Sequence, residues 1–463
     1  MKKTLDSSAT ENGLGADAYA LDRKAVAAIL YAVDVEDQSR LLALIAPLHP
    51  ADIADFLEQI NAFERRRLID LYGGEFDGDI LAELDESIRE EVIARLQPDI
   101  LAAAVRGLES DEVVDLLEHL QEPQINIILK ALPELNRLAV EKSLAYPEFS
   151  AGRLMQREVV MAPEYWTVGE AVDFLRNAER LPEQFYHVTL VDPKLQPLAN
   201  VTLGKLMSSR RDVALTAIVE EVFRVIPVLQ DEADVAYAFN QYHLISAPVV
   251  DESNRLIGMI TIDDAMAVLE DENQEDILRL AGVTDSNLSD RVLETTKQRL
   301  PWLAVNLVSA ILASLVIAQF EATITQLVAL AVLMPIVASM GGNAGTQSLT
   351  VAVRALATRD LTPSNLWRVV RREAFVGLLN GVIFAVVMGG VGLIWFGSPA
   401  LGCVIAAAMV INLIVAGLAG TLVPVVLDRF GVDPALGSGA FVTTVTDVVG
   451  FFAFLGLAAW GLE

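Results

Sequence analysis

The sequence has 463 residues, of which 53% are hydrophobic, and a formal net charge of −28. One soluble domain does not readily combine these two values, so the apolar and acidic residues are predicted to occupy different parts of the chain. Residues 297–463 hold eight basic and seven acidic residues and are otherwise mostly apolar, which leaves a net charge of −29 on residues 1–296. An acidic surface of this size argues against nucleic acid as a partner and attracts cations.

The N-terminal third of the chain shows short helical patterns. Residues 1–21 are rich in Ala, Asp, Gly and Ser and are predicted to be disordered. Between residues 22 and 150, segments such as "LHPADIADFLEQI" and "DESIREEVIARL" begin with Pro, Ser or Asp and continue with apolar residues at helical spacing. Helices this short cannot bury a face alone, so they predict a small all-α solenoid.

An internal duplication follows, in which residues 188–207 align with residues 247–266 at an offset of 59. Each copy reads as strand, Asp-containing turn, strand and helix start, and each is preceded by an amphipathic helix, predicted over residues 168–178 and 232–242. This α+β pattern resembles a tandem pair of CBS domains. A polar helix predicted after the second copy joins it to the apolar part, either as a transmitter of a cytosolic signal or as a passive linker.

Five apolar stretches are long enough to cross a bilayer at ~20 residues each. Basic residues lie before the first stretch, between the second and third, and between the fourth and fifth, so the N-terminus is predicted to be cytoplasmic. Five packed spans exceed what an anchor requires and indicate transport across the cytoplasmic membrane. The stretches cover residues 302–320, 324–353, 369–395, 400–427 and 438–460.

Asp447 lies ten residues into the last span, beside the hydroxyls of Thr443, Thr444 and Thr446. A charged group in the bilayer centre costs at least ~2.5–3.5 kcal/mol on insertion scales, so a lipid-facing position is disfavoured. Two interpretations stay open: a cation pathway lined by Asp447 and these hydroxyls, or a protonated Asp hydrogen-bonded inside the helix bundle. The spans contain no Lys or Arg well inside them, which argues against an anion pore.

The second span contains "PIVASMGGNAGTQSLT", residues 335–350. Pro335 and the glycines of this segment predict a loosened helix whose carbonyl oxygens, with the side-chain oxygens of Asn343, Thr346 and Gln347, face an ion pathway. The alternative is a close-packed helix crossing with polar contacts. Oxygen-only surroundings with one carboxylate suit Mg²⁺, which gives up its water reluctantly. Asn412, in the fourth span, is predicted to form an interhelical hydrogen bond.

With these residues the chain resembles the MgtE family of magnesium channels. The segments that carry the resemblance are "YPEFSAGRLM", "GGNAGTQ" followed by "VRALATRDL", and "GVDPAL" followed by the intramembrane Asp447. The resemblance implies a multi-pass protein of the cell membrane and a homodimer with the pore at the twofold axis, lined by spans two and five. Asp447, Thr443 and Asn343 would line this pore, with a largely hydrated Mg²⁺ held by Asp447 of both protomers.

The resemblance also implies a feedback gate in which cytosolic Mg²⁺ closes the pore. Its expected ligands are acidic residues of the helical domain, the second CBS copy and the connecting helix: Asp111, Asp115, Asp263, Asp264, Glu275 and Asp276. The first CBS copy has Gly204 and Lys205 where the second has Asp263 and Asp264, so it is expected to lack this site. In some family members the CBS region also binds ATP, which makes ATP a candidate ligand here.

The resulting fold class is multidomain: an all-α helical solenoid, an α+β tandem CBS pair, a connecting helix and a five-helix transmembrane domain. Three functions are weighed: a magnesium channel, a transporter of another divalent cation such as Co²⁺ or Mn²⁺, and a non-conducting cation receptor. An enzyme is disfavoured, since the chain has no GxxxxGK[ST] loop and no His cluster. The expected domains are residues 1–21 (disordered), 22–150 (helical), 151–215 and 216–270 (CBS copies), 271–300 (connecting helix) and 301–463 (transmembrane).

Overall fold

The structure, a computed structural model, describes residues 21–118, 120, 122–178, 181–182, 184–283 and 292–461. Residues 1–20, predicted to be disordered, and residues 284–291 of the predicted connecting helix lie outside the described residues. The chain divides into two compact units, Met1–Asp271 and Glu272–Glu463.

The first unit begins with short α-helices that share one core. Their starts are capped locally: the Asn61 side chain accepts hydrogen bonds from the backbone N–H groups of Phe63 and Glu64 at 3.0 Å each, and the Glu64 side chain accepts from the Asn61 N–H. Phe56 and Leu57 are among the side chains that fill the core. The helical N-terminal domain is therefore confirmed, with α1 Arg23–Asp34, α2 Gln38–Ile45, α3 Pro50–Gln59, α4 Ala62–Tyr72, a 3₁₀ turn Gly73–Glu75, α5 Asp79–Glu83, α6 Glu86–Arg95, α7 Pro98–Ala104, α8 Ser110–Glu118, α9 Glu122–Ala131 and α10 Glu134–Ser143.

Two three-stranded sheets follow in the same unit. In each sheet the first strand pairs parallel with the second, and the second pairs antiparallel with the third. The elements are α11 Ala151–Leu154, β1 Met161–Pro163, α12 Val168–Asn177, β2 His187–Val191, β3 Pro197–Thr202, α13 Leu203–Ser208, a 3₁₀ turn Leu215–Ala217, β4 Ile226–Pro227, α14 Glu232–Tyr242, β5 Ser246–Val250 and β6 Leu256–Thr261.

The predicted duplication holds at the level of single hydrogen bonds. Asp192 Oδ1 accepts from the N–H groups of Lys194 and Gln196, and Asp251 Oδ1 accepts from those of Ser253 and Arg255. The residues that enter the left-handed region, Leu195 and Asn254, are also 59 positions apart. Both copies thus use the same Asp-capped turn, which confirms the CBS pair.

The helix after β6 begins before the predicted connecting helix and ends at Leu280, so the prediction of one helix to residue 300 is wrong: a turn with Gly282 in the left-handed region follows, and residues 292–300 belong to the first membrane helix. It runs without a break from Ile262 to Leu280 as α15 and begins directly after Thr261. The division between the two units falls inside this helix, after Asp271. The last CBS helix and the start of the connecting helix are therefore one element.

Among its described residues, the second unit contains five helices that are long and apolar enough to cross a membrane. They agree with the predicted spans within a few residues at most ends. Basic residues cluster at the end of α18, in the loop after it and in the first turns of α19, as the prediction of a cytoplasmic N-terminus requires: Arg354, Arg359, Arg368, Arg371 and Arg372. The helices of this unit are α16 Val292–Ala318, a short α17 Glu321–Gln326, α18 Ala329–Ala357, α19 Leu366–Phe396, α20 Pro399–Arg429 and α21 Ser438–Gly461.

The prediction of a loosened helix at Pro335 is wrong. Helix α18 continues from Ala329 to Ala357 with Pro335 inside it, and the chain instead leaves helical geometry at Leu327, ahead of α18. Pro335 lies in the second turn, where its missing N–H removes only one bond of the helix. The glycines act through packing: a Cβ on Gly345 would lie 2.6 Å from a methyl group of Val442 in α21.

Helix α20 is the most buried of the five spans and packs against α18, α19 and α21. Glycines bring the backbones together: a Cβ on Gly377 would lie 2.5 Å from the Leu413 carbonyl oxygen, and one on Gly420 would lie 2.5 Å from the Gly345 carbonyl oxygen. The small residues noted in the spans therefore serve close helix–helix contact.

Candidate functional site

Asp447 is the tenth residue of α21 and is half-buried. Within the part of the chain that the structure describes, no basic side chain pairs with its carboxylate and no hydrogen-bond donor contacts it. A carboxylate that far inside a span is expensive and normally has a partner. The described structure therefore offers no internal hydrogen bond of the kind that the structural interpretation of Asp447 requires.

The hydroxyls near Asp447 bond the helix backbone. Thr443 Oγ1 donates to the Gly439 carbonyl at 2.8 Å, and Thr446 Oγ1 donates to the Thr443 carbonyl at 3.0 Å. Thr446 is fully buried, whereas Thr443 is partly exposed and keeps acceptor lone pairs for a hydrated ion. The hydroxyl of Thr444 is also used within the protein, because it forms a hydrogen bond with Ser309 of α16.

Asn343 lies on the exposed side of α18. Its Nδ2 donates a weak hydrogen bond to Ser339 Oγ at 3.4 Å, and its carbonyl oxygen has no partner among the described residues. Because α18 is unbroken, its backbone carbonyl oxygens are not freed as predicted, and the open acceptors of this segment are on side chains. Helices α18 and α21, which carry Asn343 and Asp447, are in direct contact.

Asn412 is fully buried, and its Nδ2 donates to the Val337 carbonyl at 2.8 Å, which confirms the predicted interhelical bond. The reason is local: Gly341 of α18 and Gly450 of α21 leave the space that the amide fills, since a Cβ on either would lie within 3.0 Å of it.

An acidic cluster lies in the first unit, where the starts of α8 and α15 meet. Its central members are Asp111, which is buried, and Asp264, which is partly buried. Burial raises the pKa of Asp264 to about 7, with a further contribution from the charge of Asp263. Burial, with the charges of Asp264 and Glu109, raises the pKa of Asp111 well above its usual range.

The local sequence explains how Asp264 is placed. Thr261 precedes α15, and its backbone N–H and hydroxyl donate to Asp264 Oδ2 at 3.3 and 2.8 Å, as in a capping box. The hydroxyl also contacts Asp263. In the first CBS copy, Lys205 stands at the position of Asp264, so the same turn of helix lacks the carboxylate.

The sequence analysis missed further carboxylates of this cluster. The pKa of Glu112 is raised by burial and by the charges of Asp79, Asp263 and Glu83. Glu112 is next to Asp111 on α8, but the carboxylates of α5 lie about thirty residues earlier. Nothing in the spacing of the sequence indicates that α5 and α8 meet.

Asp115 lies outside the cluster. Its carboxylate accepts a hydrogen bond from Arg89 at 2.6 Å, so a cation already balances its charge. The two predicted ligands thus lie in different surroundings: Asp111 is a buried acid of the cluster, and Asp115 forms an ion pair with Arg89 outside it.

The acidic residues of the second unit occupy a separate place on α15. Glu275 pairs with Arg279, which also donates to Asp433 at 2.6 Å in the segment before α21. Burial and the charge of Asp433 raise the pKa of Asp276. Asp433 belongs to the motif "GVDPAL" and was not predicted as a site residue.

The acidic side chains of the first unit are not arranged as the direct ligands of a metal ion in the described part of the chain. Among the described residues, no three His, Cys, Asp or Glu side chains are grouped closely enough to hold a metal ion. Burial and the charges of neighbouring carboxylates nevertheless raise the pKa values of Asp111 and Asp264, as expected for acidic groups that lie close together. Magnesium is suited to such a site because it keeps several of its waters.

Comparison with known proteins gives three family matches. Residues 334–457 match the MgtE model, described as "Divalent cation transporter", residues 48–149 match the MgtE intracellular N domain, and residues 219–271 match the CBS domain. The chain is 30% identical over 449 residues to the magnesium transporter MgtE of Thermus thermophilus, covering 96% of this chain and 100% of the relative. It is 33% identical over 320 residues to the magnesium transporter MgtE of Enterococcus faecalis, covering 69% and 71%.

Among solved structures, the chain is similar to the cytosolic domain of the Mg²⁺ channel MgtE in complex with ATP. The identity is 26% and the TM-score 0.49, with 52% of this chain and 99% of that one covered.

Proposed function

This chain belongs to the MgtE family of divalent cation transporters, and we propose that it is a Mg²⁺ channel of the cell membrane whose pore contains Asp447. The observation that carries the proposal is the Asp447 carboxylate, which lies inside a span with no partner among the described residues. A hydrated cation would offset the charge that the protein leaves uncompensated. The relatives are named for magnesium transport, which supports Mg²⁺ as the ion.

The pore is proposed to form in a homodimer, between copies of α18 and α21. Asp447, Thr443 and Asn343 lie on these two helices, and their oxygens have free acceptor capacity. Two facing carboxylates would bind the water shell of Mg²⁺ and not the bare ion, since this ion dehydrates reluctantly. Lipid surrounds the remaining faces of the spans.

Cytosolic Mg²⁺ is proposed to close the channel through the acidic residues that surround α15. Asp111, Asp263 and Asp264 repel one another when ionised, and a divalent cation between them would remove that repulsion. Glu275 and Asp276 are proposed as further ligands, with Asp433 beside them. Asp115 is the weakest member of the proposed set because Arg89 already holds it.

The proposed domains keep the boundaries expected from the sequence, with the helical domain to residue 150, CBS copies to 215 and 270, and the membrane part from 301.

Binding of ATP by the CBS pair stays a prediction. The cavity beside Gln156 and His187 has a volume of about 10 Å³, which is room for one water and not for a nucleotide. Binding of ATP there would require these side chains to move.

The pore assignment is tested by Mg²⁺ uptake into cells that lack their own transporters. Asp447→Asn keeps the size of the side chain and removes its charge, so we expect uptake at low external Mg²⁺ to fall to the level of cells without the protein. The matched control is Glu321→Gln, which removes an exposed carboxylate at the start of the short helix α17, outside the spans, and should keep normal uptake.

Normal uptake by a folded, membrane-inserted Asp447→Asn protein would contradict the pore assignment and favour a non-conducting receptor. The same assay with Co²⁺ and Mn²⁺ separates the two transporter hypotheses. Saturation by Co²⁺ or Mn²⁺ at lower concentration than by Mg²⁺ would make another divalent ion the substrate.

A further inference from the structure

A cavity of about 160 Å³ lies between α18, α19 and α20. Helices α18 and α19 each contribute four residues at the i, i+3, i+4, i+7 spacing of a helical stripe, and α20 contributes two residues one turn apart. Among the described residues that line it, none belongs to α21, so the cavity is separate from the helix that carries Asp447. The lining is formed by Ala344, Gln347, Ser348 and Val351 of α18, Glu373, Val376, Gly377 and Asn380 of α19, and Leu413 and Gly417 of α20.

Glu373 is the carboxylate of this cavity and the eighth residue of α19. At a rise of about 1.5 Å per residue it lies about 10 Å from the cytoplasmic start of the helix. Ser348 Oγ donates to Glu373 Oε2 at 3.0 Å, and no Lys or Arg pairs with Glu373 in the described part of the chain. An ionised carboxylate accepts about four hydrogen bonds, so most of its capacity is open to the cavity.

Two amide side chains face the same space. Gln347 and Asn380 line the cavity and form no hydrogen bond with another described residue. Asn380 lies seven residues after Glu373, about 10 Å further into the membrane. Their carbonyl oxygens extend the acceptor set along the cavity, and none of the residues that line it is basic.

The geometry points to a second cation site in each chain, formed by Glu373 with Ser348, Gln347 and Asn380, for a divalent cation that keeps part of its water. All four side chains offer oxygen, the ligand atom of hard cations. The volume is far larger than the roughly 10–15 Å³ that one water requires, so the ion would retain several waters. An anion is excluded by the charge of Glu373.

The test counts bound Mn²⁺, used as a paramagnetic probe, on the purified full-length protein carrying Asp447→Asn. This background removes the proposed pore site, so the result does not depend on it. Adding Glu373→Gln, which preserves the shape and the contact with Ser348, is expected to lower the saturating number by one Mn²⁺ per chain. Adding Glu321→Gln, an exposed carboxylate outside the cavity, is expected to leave that number unchanged.

A second variant protects the test against misfolding. Asn380→Leu changes no charge and fills part of the cavity, and it is expected to weaken the same Mn²⁺ site by about tenfold or more, as loss of a supporting ligand does. An unchanged number and affinity of Mn²⁺ in both Glu373→Gln and Asn380→Leu would overturn the proposal. Failure of Asp447→Asn to abolish uptake would instead affect only the pore assignment.

Discussion

The carboxylates of the proposed gate differ in their nearest charged neighbours: some pair with an arginine, and others lie beside further acids. Asp115 has Arg89 at 2.6 Å, and Glu275 has Arg279, whereas Asp111 and Asp264 face other acids. An acid that is buried among acids is harder to ionise in the folded state than in the unfolded chain. We therefore expect the free energy of unfolding to depend on pH and, through the proposed Mg²⁺ site, on divalent cations.

The sign of that dependence follows from the raised pKa of Asp264. A carboxyl whose pKa rises from 3.8 to about 7 on folding stabilises the fold fully below pH 3.8, and the stabilisation is lost as pH rises through 7. The difference is on the order of 4 kcal/mol between the two ends of this range, before coupling to Asp111 is considered. We expect hydrogen exchange in α8 to accelerate from pH 5 to 8 without Mg²⁺, after correction for the intrinsic rate.

Asp264→Asn should flatten this pH dependence, and saturating Mg²⁺ should slow the exchange of the wild type at pH 8. Asp251→Asn changes a carboxylate of the same CBS copy that caps a turn outside the cluster, and it should keep the pH dependence. Equal pH profiles for wild type and Asp264→Asn would contradict this account.

At the scale of elements, the membrane unit is held by helices that approach through glycine. Helices α19 and α20 meet at Gly377, where the facing atoms belong to the backbone of Leu413 and Ile414 and cannot rotate away. Gly390 lies on the same helix with nothing within 4 Å of a Cβ. The two positions allow the effect of packing to be separated from helix propensity.

Gly377→Ala is expected to destabilise the membrane unit by roughly 1–3 kcal/mol, because the added methyl must separate α19 from α20. Gly390→Ala adds the same methyl in open space and should be neutral or stabilising by up to about 1 kcal/mol. Unfolding in detergent with increasing denaturant measures both. A loss of stability in Gly390→Ala as large as in Gly377→Ala would show that space between the helices is not the cause.

At the scale of the whole molecule, the charge is distributed very unevenly. Residues 1–296 carry −29, and the membrane part is close to neutral. The residues proposed for the gate at α15 are only a small part of this excess. Internal Mg²⁺ could act through the overall negative charge of residues 1–296 or through the particular carboxylates on α15. These two hypotheses predict different effects of removing carboxylates elsewhere.

We expect that neutralising Asp263, Asp264, Glu275 and Asp276 together leaves currents that millimolar internal Mg²⁺ no longer suppresses in patch recordings. The matched control removes four exposed carboxylates elsewhere in the acidic part, Glu90, Glu134, Glu148 and Glu252. In this control variant, internal Mg²⁺ should still suppress the current if the carboxylates on α15 are the sensor. Suppression lost equally in both would assign the effect to overall charge, and suppression kept in both would place the sensor outside α15.

The helices, the spans and the duplicated turns were predictable from the sequence because each depends on periodicity and capping within a short segment. Asp447 was predictable for a related reason, since a lone carboxylate in an apolar span is conspicuous without any coordinates. The continuity of α18 was not predictable. The effect of Pro335 depends on the helical turn in which it lies, and the role of the glycines depends on the helices packed against them.

The family resemblance implied Asp111, Asp263 and Asp264 as members of one site, but the tertiary structure decided which further carboxylates join them and where the Glu373 cavity lies. Asp111 and Asp264 are 153 positions apart in the chain, and Ser348 and Glu373 lie on different helices. Whether a carboxylate is balanced, as Asp115 is by Arg89, or uncompensated depends on the few ångströms between side chains. The electrostatic energy of a pair of charged groups varies with their distance and burial, and the spacing of residues along the sequence determines neither.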